Sequence, residues 1–266
     1  MIFATDKGRM CNNILQYGHV MAWGLEHGRA TVSMRFAYKY PYFKICRSPR
    51  HNIAFHLVGK WGAKTGLLPV ADFDSVEDCG SLERRMKANR HCVVAGWGVR
   101  FYDLFAKHIA EIRDAFAFLP EVERGADKAL AGCNGPKIGL HIRRGDYARW
   151  HGGRYFYTDG QYAAIARSAL EMAGEDAVVV VCGNDPATDR SVFLKALGGR
   201  VRFACGNPGE DLCTLSRCQH LIGPPSTFTL VASMYRDTPL YWVSDPAAEV
   251  STNSFGKFDT LFRNII

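Results

Sequence analysis

The sequence has no long apolar run, no paired-cysteine motif and no dense block of basic residues. No window of the 266 residues approaches the eighteen apolar residues of a membrane-spanning helix, and the N-terminal stretch lacks the apolar segment of a signal peptide. Nine cysteines occur without a Cys-x-x-Cys pair, which argues against a zinc site and against a disulfide framework. We expect reduced thiols and a cytoplasmic location, and we leave open a peripheral contact with the inner face of the membrane.

The net charge is basic but moderate. The chain carries 33 Lys and Arg against 26 Asp and Glu, a formal charge of +7. Because no five or six basic residues occur in a row, the sequence does not favour binding to nucleic acid. A small anionic ligand fits this balance better.

Short apolar segments alternate with amphipathic ones along the whole chain, which is typical of an α/β protein with doubly wound parallel sheets. The glycine- and proline-containing stretch 132–136 is the best linker, so we predict two domains, residues 1–132 and 133–266. We expect a loop over 67–82, a single helix over 102–118, and a helix whose N-cap is Asp159. The first strand–turn–helix has neither of the glycine-rich phosphate-binding patterns.

The most informative stretch is KIGLHIRRGDY, from Lys137 to Tyr147. An apolar strand ends abruptly at Arg143 and Arg144, and two adjacent guanidinium groups need an anionic partner if they are buried. The planar guanidinium matches phosphate oxygens two at a time, and Gly145 lets a ligand approach closely. This pattern predicts a diphosphate site. The alternative is a surface turn in which Asp146 pairs with its neighbours.

In a parallel sheet the carboxyl ends of all strands lie at one edge, where ligands bind. We therefore expect the segments 143–146, 183–185 and 223–227 to meet. Ser226 and Thr227, at a predicted helix start, offer hydroxyl and backbone N–H groups to a phosphate. Asp211 begins the preceding helix and could accept from a guanine base, or could only complement the helix dipole. Asp185 could bind a sugar hydroxyl or cap the next helix.

Four blocks of sequence together resemble one enzyme family. His141 to Tyr147 resembles the HxRRGDY motif of the α1,2-fucosyltransferases, glycosyltransferase family 11. Gly8 to Tyr17 is similar to the family's N-terminal GRLGNQLFQY block. The segments Asp211 to Ser216 and Pro225 to Thr229 resemble two further blocks, and all four occur in the family's order.

The resemblance implies a GT-B-like fold, with two Rossmann-like halves whose parallel sheets face a cleft. The second half would bind GDP-fucose and the first an oligosaccharide acceptor. Fucose would be transferred to a glycan hydroxyl, as in a galactoside α1,2-fucosyltransferase, with inversion of the anomeric configuration. The reaction would need neither a metal nor a resident cofactor. By this resemblance Arg143 would bind the β-phosphate, and Arg144 would support the motif or bind the diphosphate. His141 and Asp211 would hold the guanine base, and Ser226 and Thr227 would bind phosphate. Three residues of the N-terminal block would line the cleft: Gly8, Asn12 and Gln16.

Direct displacement needs one general base on the acceptor hydroxyl. Asp146, His151 and Asp159 are the candidates. Two other interpretations fit the same residues: a transferase for another nucleotide sugar, and a non-catalytic module that binds nucleotides or polyanions. Neither the acceptor nor the oligomeric state follows from the sequence.

Overall fold

A computed structural model describes residues 1–183 and 185–265, and Asn184, from the predicted strand end 183–185, lies outside them. The chain divides into two compact units, Met1–Leu119 and Pro120–Ile266. Each unit contains one sheet whose strands are all parallel, with helices in the connections. The predicted α/β class is confirmed. Within the described ranges, no helix combines the length and the apolar character that crossing a membrane requires.

The first unit has a four-stranded sheet with the order β2-β1-β4-β3. Its strands are β1 (Ile2–Ala4), β2 (Thr31–Ser33), β3 (Val70–Asp72) and β4 (Cys92–Ala95). Its helices are α1 (Met10–Glu26), α2 (Ile53–Thr65), α3 (Cys79–Ala88), α4 (Tyr102–Lys107) and α5 (Ile109–Ala115).

The second unit has a five-stranded sheet with the order β7-β6-β5-β8-β9. Its strands are β5 (Lys137–Ile142), β6 (Val178–Gly183), β7 (Val201–Phe203), β8 (His220–Gly223) and β9 (Leu240–Trp242). Its helices are α6 (Pro120–Leu130), α7 (Asp159–Ala173), α8 (Arg190–Leu197), α9 (Pro208–Ser216), α10 (Thr227–Met234) and α11 (Phe258–Arg263). The central strands are apolar and buried, as expected for a sheet covered on both faces.

The division between the units lies before α6, and not at the glycine-rich linker after it. α6 packs on α9 of the second unit, where Arg217 forms ion pairs with Asp127 and, at 3.7 Å, with Glu123. Gly125 allows this close approach, since a Cβ there would lie 2.5 Å from the Glu210 side chain. The linker therefore joins two elements of one unit.

Three local expectations are wrong. The segment 67–82, expected as a loop, contains β3 and the beginning of α3. The expected helix over 102–118 is interrupted at His108 and forms α4 and α5. The N-cap of α7 is Thr158, whose hydroxyl accepts from the Gln161 amide at 3.2 Å in a capping box. Asp159 does not cap because its carboxylate binds an arginine instead.

Candidate functional site

The site forms at the carboxyl edge of the second sheet, around the end of its central strand. β5 pairs with β6 on one side and with β8 on the other, so that Leu140 lies between Val181 and Ile222. The chain leaving β5 therefore emerges between the chains leaving β6 and β8. A Cβ on Gly223 would lie only 3.0 Å from the His141 carbonyl oxygen, so a glycine is needed at this approach.

Arg144 is buried, and each of its three guanidinium nitrogens has a partner within the protein. Its Nε donates to the Tyr157 carbonyl at 3.1 Å, and its two terminal nitrogens donate to Asp159 at 2.6 Å and to Asp185 at 3.2 Å. The other Asp185 oxygen accepts from the Ala187 amide at 2.9 Å, as in an Asx turn. This network supports the motif-stabilising alternative for Arg144. The predicted cap of the next helix by Asp185 is wrong, because the N-cap of α8 is Asp189, whose carboxylate accepts from the Ser191 amide at 2.9 Å. Both residues position the loop, and their direct contact with a donor remains a prediction.

Arg143 is held differently. One terminal nitrogen donates to Asp146 at 2.9 Å, and that carboxylate is half exposed. The guanidinium lies over the Tyr147 ring, 5.2 Å from its centroid, and the Arg143 Nε is buried without a hydrogen-bond partner in the described part of the chain. An unpaired buried donor is costly. Arg143 therefore keeps its Nε for an anion, whereas all three guanidinium nitrogens of Arg144 already have protein partners.

His141 and Asp211 are both buried polar residues with an unsatisfied atom. The His141 ring stacks on the Phe228 ring, with centroids 4.7 Å apart and planes 17° apart. Burial, and secondarily the charge of Arg143, lowers the pKa of His141 to about 3, so the ring is neutral. Burial raises the pKa of Asp211 to about 7, opposed by a hydrogen bond from the Gly206 backbone. His141 Nδ1 and Asp211 Oδ1 have no partner among the described residues.

These two residues belong to neighbouring elements. His141 is level with Cys182 on the adjacent strand, and the Cys182 thiol lies 3.9 Å from the Asp211 carbonyl oxygen. A third unsatisfied group, the hydroxyl of Thr214, lies one helical turn after Asp211 and is also buried. Sequence reasoning missed Thr214, although the i, i+3 spacing on α9 could have indicated it. Unpaired buried polar atoms are rare in native proteins, and a bound ligand is one partner that would satisfy them.

The loop before α10 contributes the predicted phosphate-binding hydroxyls. The Ser226 hydroxyl oxygen caps α10, accepting from the amides of Phe228 at 3.2 Å and Thr229 at 3.4 Å. Its own proton is still able to donate to an oxyanion. Thr227 is the first residue of α10. The Tyr147 hydroxyl donates to the Pro225 carbonyl at 2.5 Å, which ties this loop to the arginine-containing loop.

The three candidates for the general base differ in the exposure and hydrogen bonding of their side chains. Both carboxylate oxygens of Asp159 are occupied, by Arg144 and by the Asp189 amide at 3.1 Å. Asp159 is therefore a positioning residue. Asp146 is half exposed beside Arg143. His151 is exposed, has a φ of 46°, and meets the Trp150 ring edge-on at 4.4 Å.

The N-terminal block lies in the first unit. Gly8 has a φ of +63°, and a Cβ there would lie 2.6 Å from the side-chain nitrogen Nδ2 of Asn12. The Gln16 side chain is buried and donates to the Gly96 carbonyl at 3.0 Å. Asn13, whose importance the sequence did not reveal, accepts from the Lys7 amide and donates to the Lys7 and Arg9 carbonyls, which fixes the loop after β1.

The described residues include one pair of closely spaced carboxylates in the first unit. The expectation of a metal-free site overlooked one Asp-x-Asp string, Asp72 to Asp74. Asp74 pairs with Lys7 at 2.8 Å, and Asp72 accepts from the Asp74 amide at 3.0 Å. Across residues 1–183 and 185–265, no three His, Cys, Asp or Glu side chains are grouped closely enough to hold a metal ion.

Comparison with known proteins places this geometry in a family. The model of glycosyl transferase family 11 matches residues 101–238, just over half of the chain. Galactoside alpha-(1,2)-fucosyltransferase 2 of Bos taurus is 30% identical over 145 residues, which are 48% of this chain and 41% of the bovine protein. Galactoside alpha-(1,2)-fucosyltransferase 1 of Mus musculus is 30% identical over 142 residues, 47% of this chain and 37% of the mouse protein. The chain thus aligns with less than half of each curated relative.

Solved structures share the fold. The fucosyltransferase NodZ from Bradyrhizobium superposes with a TM-score of 0.57 at 15% identity, covering 93% of this chain and 96% of that one. POFUT1 in complex with GDP-fucose superposes with a TM-score of 0.60 at 12% identity, covering 89% and 94%. At such low identity the likeness concerns the fold, and it confirms the predicted GT-B-like class with two Rossmann-like halves.

Proposed function

The chain belongs to glycosyl transferase family 11, and from this premise we propose that it transfers L-fucose from GDP-fucose to a hydroxyl group of a glycan. The bovine and mouse relatives are named galactoside α-(1,2)-fucosyltransferases, which supports a galactoside acceptor and an α1,2 linkage. NodZ and POFUT1 have been solved with GDP or GDP-fucose, which supports the same donor here. The second unit would bind the donor and the first the acceptor.

The observation that carries the proposal is the combination of Arg143 with the unsatisfied atoms of His141 and Asp211 at one edge of the sheet. Guanine presents a ring N–H and an exocyclic amine side by side, and a carboxylate can accept from both. Uracil offers one ring N–H, and adenine offers an acceptor at the equivalent ring position. An ionised Asp211 therefore selects guanine, while the neutral His141 can make one further hydrogen bond.

The chemistry follows from the charge that develops when the bond between sugar C1 and the diphosphate breaks. Negative charge accumulates on the departing diphosphate, and Arg143 stabilises it. Each charge-assisted hydrogen bond contributes about 1.5–3 kcal/mol. The proton of the Ser226 hydroxyl and the first amides of α10 add donors to the phosphate. Arg144, held by Asp159 and Asp185, keeps the loop of Arg143 in place.

The acceptor hydroxyl attacks C1 from the face opposite the diphosphate, so the anomeric configuration is inverted. A single base removes the hydroxyl proton, and Asp146 and His151 are the two candidates. No resident cofactor takes part. Since Arg143 supplies the positive charge at the leaving group, the proposal includes transfer without a divalent metal, and activity that persists in excess chelator is the expected result.

The direct test is transfer from GDP-[14C]fucose to free lactose and to other galactosides, followed by linkage analysis of the product. We expect an α1,2-linked fucoside. A parallel thermal-shift series with GDP, UDP, ADP and short DNA reports the ligand class, because a ligand that binds the native state raises the melting temperature. Stabilisation by UDP equal to that by GDP would disprove the guanine assignment, and stabilisation by DNA alone would indicate a polyanion-binding protein.

A further inference from the structure

Helix α2 in the first unit is amphipathic in the reverse of the usual sense. Its buried residues are glycines, Gly59 and Gly62. A Cβ on Gly59 would lie 2.9 Å from the Phe3 ring and 3.1 Å from the Met34 sulfur, so the helix backbone packs directly on the sheet. Among the large apolar side chains, Phe55 packs partly buried against the same core, and the others point to the opposite side. A helix that packs only on a core normally buries its large apolar residues.

The outer face of α2 exposes four large apolar side chains and continues into the following turn. The exposed fractions are 57% for Ile53, 43% for Leu57, 56% for Val58, 54% for Trp61 and 81% for Leu67. We call these five residues the α2 patch. On a helical wheel the four helical members fall within one arc of about 140°; Lys60 borders that arc and Lys64 lies inside it, between Ile53 and Leu57. The Lys64 ammonium lies 5.1 Å from the centre of the Trp61 ring.

The surrounding sequence is strongly basic. From position 27 to 71 there are eight Lys or Arg residues and no Asp or Glu, whereas the rest of the chain has 25 basic and 26 acidic residues. The whole positive charge of the protein thus arises in the segment that contains α2. This segment lies outside residues 101–238, which the family model matches, so the family match does not account for it.

We propose that the α2 patch docks on a membrane surface that contains anionic lipids. An interfacial helix inserts Trp and aliphatic side chains among the acyl chains near the headgroups, while flanking lysines contact the anionic headgroups. Trp is also favoured at this depth because its ring is amphipathic. A second copy of the chain is a poorer occupant, because the same acid-free segment would face itself and like charges would repel.

The test is co-sedimentation of the full chain with vesicles of phosphatidylcholine alone and of phosphatidylcholine mixed with phosphatidylglycerol. We expect binding to the mixed vesicles that weakens as salt is added, and little binding to the neutral ones. Trp61 should move into an apolar environment, so the tryptophan emission should shift to shorter wavelength with mixed vesicles. That shift should disappear in Trp61→Phe while the variant still sediments with the vesicles.

Two double variants separate the contributions. Leu57→Gln with Trp61→Gln should weaken binding to mixed vesicles by about tenfold or more, since two apolar side chains no longer insert. Lys60→Glu with Lys64→Glu should abolish the preference for anionic lipid. The matched control is Leu194→Gln with Lys195→Glu on α8, because Leu194 is equally exposed at 53% and lies in the other unit. The control variant should bind vesicles like the wild type.

Stabilisation by GDP and transfer to a soluble acceptor should be unchanged in these variants, so failure of the docking proposal can be told from failure of the proposed enzyme activity. Equal binding to both vesicle types, or unchanged binding in both double variants, would overturn the proposal. Sedimentation equilibrium without lipid provides the last comparison. A dimer in the wild type that becomes a monomer in the Leu57→Gln, Trp61→Gln variant would assign the patch to self-association and would also overturn it.

Discussion

The hydroxyl of Tyr147 donates a hydrogen bond of 2.5 Å to the backbone carbonyl of Pro225, 78 positions further along the chain. Both residues are buried. The same tyrosine ring carries the Arg143 guanidinium on its face. Tyr147 therefore links the loop that presents Arg143 to the loop that presents Ser226, and it sets the position of one relative to the other.

Tyr147→Phe removes this link and keeps the ring. We expect kcat for fucose transfer to fall by about tenfold, because a contact of roughly 0.5–1.5 kcal/mol that holds the two loops in register is lost. Tyr157→Phe is the matched control, since the Tyr157 hydroxyl donates to the Val243 carbonyl at 2.7 Å in the same way. Both variants should lose a little stability. Equal losses of kcat in the two would show that Tyr147 has no positioning role.

Arg144→Ala should destabilise the protein by about 3–5 kcal/mol, because it leaves the mostly buried carboxylates of Asp159 and Asp185 without their cation. Urea unfolding measures this loss. Arg217→Ala is the control, because its partners Glu123 and Asp127 are 49% and 65% exposed, so the cost should stay below about 1 kcal/mol. A similar cost for both variants would mean that Arg144 is no more structural than a surface arginine.

If Asp211 binds the guanine base as proposed, its raised pKa of about 7 should make nucleotide binding depend on pH. The native carboxyl holds its proton more tightly than the unfolded one, so its contribution to stability is complete below about pH 4 and is lost as pH rises through about 7. Binding guanine requires the ionised form, so affinity for GDP should increase from pH 6 to pH 8 in calorimetry, with release of a proton at the lower pH.

Asp211→Asn should then have opposite effects on stability and binding. At pH 8 the melting temperature without ligand should rise, because a buried charge has been removed, while the stabilisation by GDP should vanish. Asp189→Asn serves as a control, since the Asp189 carboxylate caps α8 and asparagine is an equally good cap. GDP binding that is unchanged in Asp211→Asn and independent of pH would contradict the assignment of the base pocket.

Titration of His141 should lower the stability of the protein as pH falls, whereas titration of Asp211 should lower it as pH rises. The native pKa of His141, about 3, lies below the ordinary value of 6.5, so the stability it contributes is present above pH 6.5 and is lost as pH falls toward 3. His141→Asn, which cannot titrate, should show a smaller fall in melting temperature between about pH 6.5 and 4 than the wild type. An identical fall in both proteins would show that His141 does not titrate in this way.

The sequence was sufficient for the central strand, because a short apolar run that ends in charged residues is typical of a buried strand. The same residues also fitted a surface turn, and the partners of the two arginines decided between the alternatives. The neighbouring strand ends could be placed as well, since parallel sheets bring them together. Sequence could not distinguish Arg143 from Arg144, because the partners of Arg144 are 15 and 41 positions away and depend on tertiary packing. The glycine-rich linker was misleading because α6 packs on α9.

Helix α2 shows a further limit of sequence reasoning. The burial of its glycines and the exposure of Trp61 follow from the close packing of Gly59 on Phe3 and Met34. The local propensity of a segment does not reveal which side of a helix faces the sheet when both sides are apolar. The missing acidic residues between positions 27 and 71 were visible in the sequence and indicate the same surface.

The most direct measurement compares Arg143→Ala with the wild type in single-turnover transfer from GDP-fucose, with urea unfolding of both proteins. We predict a loss of about a hundredfold in rate, because the departing diphosphate loses its cation. The free energy of unfolding should change by less than about 1 kcal/mol, because the Asp146 partner is half exposed. Wild-type turnover by a folded Arg143→Ala protein would contradict the account.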